Sequence, residues 1–223
     1  MTYLVLIASV LIGIIIVYGF KPGTKTVQLL LSFSGAYLLA ISILHLLPEV
    51  YKVYNKTIGI YILIGLILQL VLDFFSKGAE HGHIHEQNTS IFPWALFISL
   101  SIHAFMEGIP LANNLHHEHL LWAIVVHKIP VAIILGTFFV KSTIPKKYAV
   151  VFLLVFALMS PLGSFIGENS QFLIRYKSEI MAIIIGVFLH ISTIILFESS
   201  KDHKFNLLKF TAILVGMSVA FLA

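Results

Sequence analysis

The chain of 223 residues contains no cysteine. That absence excludes a disulfide framework, a thiolate zinc site and a Cys nucleophile, so any metal it meets must be held by nitrogen and oxygen. Charge is the second shortage: Asp, Glu, Lys and Arg make up 11% of the residues, against about 25% in soluble domains. Too little polar surface remains to clothe a globule in water. Hydrophobic residues reach 59% and the mean hydropathy is +1.00, an excess that no water-soluble core requires. The composition places the chain in a bilayer. Histidine, with eleven copies, is the residue type on which metal chemistry would rest.

Apolar runs occupy about 2–20, 26–50, 57–75, 91–112, 120–140, 147–167, 178–198 and 206–222. Each is near the ~20 residues a helix needs to cross ~30 Å of hydrocarbon. The expected fold is therefore an all-α integral membrane protein of eight transmembrane helices in a single domain over 1–223. The first run has no positive residue before it and Lys21 after it, the reverse of a secretory leader, and reads as a retained helix. The connections are short, and none holds a soluble domain.

Lys21, Lys25, Lys77, Lys141, Lys146, Lys147, Lys201, Lys204 and Lys209 lie in or beside the odd-numbered loops, whereas the even loops hold only Lys52, Lys56, Arg175 and Lys177. This bias puts the odd loops in the cytoplasm and both termini outside. It also accounts for a pI near 9.2 without nucleic acid as a partner. The fourteenth cation, Lys128, falls inside a span. An echo between His45-Leu-Leu-Pro48-Glu49, closing the second span, and Ile195-Leu-Phe-Glu198, closing the seventh, hints at an inverted repeat of spans one to three and six to eight.

The chemistry concentrates in the fourth and fifth spans. His103 and Glu107 stand at i and i+4, on one helix face and about one turn apart. His127 and Lys128 precede Pro130, which frees the carbonyl of Val126; Pro110 likewise frees that of Met106. Broken helix bonds at this depth are tolerated where they face protein or a watery cavity. A lone His on an apolar face is ordinarily a satisfied core residue. In lipid, a charge at the bilayer centre costs at least ~2.5–3.5 kcal/mol, so ionisable groups there usually mark a functional path. His103, Glu107 and His127 together read as a metal site, which suits zinc best and also fits ferrous iron, manganese, cobalt and cadmium.

These residues resemble the ZIP (Zrt/Irt-like) metal transporters. The specific parts are His103-Ala-Phe-Met-Glu107-Gly108, similar to the family's His-Asn-x-x-Asp/Glu-Gly, and His127-Lys-Ile-Pro130, similar to its His-Glu-x-Pro. Weaker matches are His45-Leu-Leu-Pro48-Glu49, Ser160-Pro161-Leu-Gly163 with Gly167, and Phe188-Leu-His190 through Glu198. The resemblance implies an inverted-repeat bundle that carries divalent transition metals, most of all zinc, toward the cytoplasm. Its mechanism would be an elevator-like alternating access, in a multi-pass protein of the plasma or inner membrane that commonly pairs as a homodimer. The ion is cargo, and no resident cofactor is expected.

The departures are informative. Ala104, Lys128, Val131 and Ile194 stand where two-metal members of the family carry polar or acidic residues. The resemblance then implies one retained site, with the Lys128 ammonium supplying beside Glu107 the charge that a second ion supplies elsewhere. Three ligands leave a coordination position open, as release requires, with Met106 or water as the fourth partner. His45, Glu49, His190 and Glu198 are pathway candidates; for Glu49 a helix end, and for Glu198 an interfacial carboxylate, is an equal alternative. Asp73 is similarly ambiguous. Two imidazole clusters, His81, His83 and His85 in the third loop and His116, His117 and His119 in the fourth, suit loose capture of metal. Two rival functions remain: an intramembrane metal hydrolase, for which no His-Glu-x-x-His is present, and a transporter-like metal sensor.

Overall fold

The computed structural model describes residues 1–52, 57–76, 94–112, 118–197 and 206–222. Among these every regular element is helical: α1 (Thr2–Phe20), α2 (Thr24–Ile41), α3 (Leu47–Tyr51), α4 (Ile58–Ser76), α5 (Trp94–Gly108), α6 (Glu118–Lys141), α7 (Lys146–Asn169), α8 (Gln171–Arg175), α9 (Lys177–Phe197) and α10 (Leu207–Leu222). Seven spans are long and apolar enough to cross a membrane: α1, α2 with α3 as one rod, α4, α5 with its terminal turn, α6, α7 and α9. The last helix, α10, has 16 residues and is shorter than the ~20 that a perpendicular crossing needs.

Proline shapes the helices where the sequence places it. Pro22 follows Lys21, the one non-glycine residue with positive φ among those described, and ends α1. The run over 26–50 is not a uniform α-helix. Pro48 has no N–H to continue the ladder, and the chain widens into a π turn over Ser42–Leu46, in which the Leu47 N–H reaches back to the Ser42 carbonyl. At Pro110, α5 tightens into a 3-10 turn over Ile109–Leu111, while Pro130 and Pro161 are carried inside continuous helices. The short connection between α7 and α9 contains α8, with the Ser170 hydroxyl accepting from the Leu173 N–H.

The main pairings are α4 with α9, α2 with α10, α1 with α6 and α5 with α7. Exchanging α1, α2 and α4 with α7, α9 and α10, and α5 with α6, maps these four pairs onto one another, as an inverted repeat would. The contacts of α2 with α6 and of α4 with α5 depart from that symmetry. Peripheral helices turn apolar side chains outward: on α4, Ile60, Leu63, Ile67 and Phe74 form an exposed apolar stripe. In contrast, α6 is buried along most of its length.

Glycine sets the spacing between α5 and α7. A Cβ at Gly108 would collide with the Ser160 carbonyl, and one at Gly163 with the Phe105 carbonyl. Backbone approach of this kind needs small residues. Gly108→Ala and Gly163→Ala are each expected to destabilise the fold by about 1–3 kcal/mol. Thermal melting of the detergent-solubilised protein checks this; unchanged melting would mean that the two helices are not in backbone contact.

Candidate functional site

Helical spacing on α5 does what the i, i+4 pattern requires: His103 Nε2 lies 3.4 Å from Glu107 Oε2, and both side chains are buried. Two donors held at ~2.0–2.1 Å on a tetrahedral zinc stand about 3.4 Å apart, so this pair is already spaced as a chelate. From α6, the His127 ring approaches edge-on, with its centroid 6.1 Å from that of His103 and the planes at 89°. Two imidazoles on one tetrahedral zinc have centroids roughly 5 Å apart. The third ligand is thus about 1 Å farther out than a loaded site needs. Among the described residues no group of three or more His, Asp or Glu side chains is close enough to hold a metal as it stands. The trio is adjacent but not closed.

The other carboxylate oxygen is engaged. Lys128, only 1% exposed, donates to Glu107 Oε1 as an ion pair and to Ser160 Oγ at 2.6 Å. The Ser160 hydroxyl donates in turn to the Ala104 carbonyl and lies 3.3 Å from Glu107 Oε1. The Lys128 ammonium also sits 5.4 Å from the centroid of the Phe156 ring, within cation–π range. A lysine is among the costliest side chains to bury, and here an acid, a hydroxyl and an aromatic face compensate it. Ala104 and Val131, where polar ligands are expected of two-metal proteins, are buried in an apolar cluster that also contains Phe156.

Ser160 is the site residue that sequence reasoning gave no role. Its only signal is its place in Ser160-Pro161-Leu-Gly163. His190 is buried on α9, which packs against α2 and α4. His45 lies in the π turn, half-buried, with its ring stacked on His119 at 4.3 Å and 18°. Glu49 is exposed on α3, one turn beyond. The Tyr3 hydroxyl donates to Glu168 Oε2 at 2.6 Å, tying the start of α1 to the end of α7. Glu198 and His81, His83, His85, His116 and His117 lie outside the described residues.

A bundle of apolar, membrane-length helices enclosing imidazoles, a carboxylate and an ammonium defines a polytopic membrane protein with an ionisable centre at bilayer depth. Residues 76–223 match the family model described as ZIP Zinc transporter, and the chain belongs to that family, whose members are transporters and not enzymes. It is 30% identical over 161 residues to "Zinc transporter ZIP1" of Danio rerio, covering 64% of this chain and 51% of the relative. With the protein of the same name from Takifugu rubripes the identity is 32% over 150 residues, covering 63% and 50%. "Protein zntD" of Dictyostelium discoideum is 29% identical over 164 residues, covering 64% and 24%. The chain spans about half the length of these relatives, or less.

Proposed function

We propose that the protein carries divalent transition metal ions, zinc foremost, across the plasma or inner membrane toward the cytoplasm, with His103, Glu107 and His127 as the intramembrane ligands. The observation that carries this reading is the division of Glu107 between two partners. Oε2 faces His103 at chelating distance, while Oε1 is held by Lys128. An arriving ion takes Oε2, His103 Nε2 and, after a shift of about 1 Å, His127. Lys128 need not leave. Its charge stays beside the ion and weakens the grip, which suits a cargo that must be released.

Both termini are outside, with α10 closing the bundle along α2, and the chain pairs as a dimer. Transport follows alternating access, the ligand-bearing helices moving as an elevator against the remainder. Membership in a family of transporters weighs against the hydrolase reading. Uptake of radioactive zinc into proteoliposomes tests the proposal: accumulation that His103→Ala abolishes supports transport, whereas zinc binding without accumulation supports a sensor.

Both imidazoles must be unprotonated to bind, so acid competes with zinc. Protons compete for the same nitrogens as pH falls, so zinc affinity is expected to drop toward acid. Titration calorimetry at falling pH checks the sign. Affinity that rises toward acid would contradict histidine ligands.

A further inference from the structure

We propose that His45 and His119 together form a second metal-binding site, a docking site at the outer mouth that hands ions to the centre formed by His103, Glu107 and His127. The inference rests on the transport reading above and adds a place where the cargo is first held.

The two residues are 74 positions apart and belong to different spans. The fold brings their rings into a parallel stack, with centroids 4.3 Å apart and planes at 18°. Rings on one tetrahedral zinc stand roughly 5 Å apart, so opening the stack by less than 1 Å and tilting the rings brings one nitrogen of each onto a shared ion. Both side chains are half-buried, open enough for an ion to reach and enclosed enough to fix the rings. Water completes the shell.

The backbone beneath His45 is a second observation. His45 sits inside the π turn over Ser42–Leu46, a widened geometry that occurs frequently at functional sites. His119, on which its ring stacks, lies in the first turn of α6.

Position along α6 gives the site its purpose. His119 and His127 lie on the same helix, eight residues or about 12 Å apart. An ion held by the stacked pair is thus two helical turns above a ligand of the buried centre. Two protein imidazoles hold an ion more loosely than the three-ligand centre would, so exchange runs inward.

The test uses full-length protein in nanodiscs, with His81, His83, His85, His116, His117 and His203 replaced by Ala to silence the loops and His103→Ala/His127→Ala to silence the centre. Zinc titration of this protein is expected to show one ion per chain. Adding His45→Ala or His119→Ala should weaken that binding roughly tenfold or more, and combining them should weaken it little further, because either loss breaks the same site. Binding indifferent to both substitutions, or losses that simply add, would overturn the proposal. The converse protein, with His103 and His127 restored and His45→Ala/His119→Ala in place, reports on the centre alone. If it binds no zinc while the first protein binds one, the transport reading fails and the docking site stands.

Discussion

Glu107→Gln is expected to bring zinc uptake by reconstituted vesicles down to the level of protein-free liposomes. The substitution keeps the shape and an oxygen for Lys128 and removes only the negative charge. Two unit charges about 4 Å apart interact by ~4 kcal/mol at an effective dielectric of 20, and a divalent ion doubles that. Without the carboxylate, an incoming ion meets the Lys128 ammonium unopposed, and it also loses its only anionic ligand. Affinity should fall by about two orders of magnitude or more, the upper end of what disturbing a metal site does. Uptake above a tenth of the unsubstituted rate would show that the ion passes elsewhere.

The second large effect concerns Lys128. Removing one partner of a buried ion pair costs about 3–5 kcal/mol, because the other charge is left uncompensated. Lys128→Ala should therefore lower the thermal stability of the purified protein sharply, whereas Lys128→Met combined with Glu107→Gln should recover most of the loss. Lys128→Glu makes the opposite change. It sets a second carboxylate beside Glu107, and zinc is expected both to restore its stability and to bind with one additional ion per chain. If zinc stoichiometry stays at the parental value, the ammonium does not stand in for an ion.

What could be read from the sequence was whatever one helix determines. His103 and Glu107 share a face because four residues make about one turn, whereas the placement of Lys128 close to Glu107 came only from the resemblance to the ZIP family. What one helix cannot determine is which faces meet. Ser160 reaches Lys128 only because Gly108 and Gly163 let α7 press against α5, a contact no periodicity announces. The stack of His45 on His119 was hidden for the same reason, and the sequence assigned the two residues to separate roles. Helix interruptions were half visible: Pro48 marked a disturbance, but not that the backbone would answer with a π turn. The 16 residues of α10 are fewer than the apolar run over 206–222 suggests for a full crossing.

The convergence of three side chains on one ion is best tested by diffraction from zinc-loaded protein at wavelengths on either side of the zinc absorption edge. The account predicts an anomalous peak at ~2.0–2.2 Å from His103 Nε2, Glu107 Oε2 and a nitrogen of His127, with Lys128 still on Glu107 Oε1. A fully loaded crystal with no zinc peak between α5 and α6, or with these side chains turned away from it, would contradict the account.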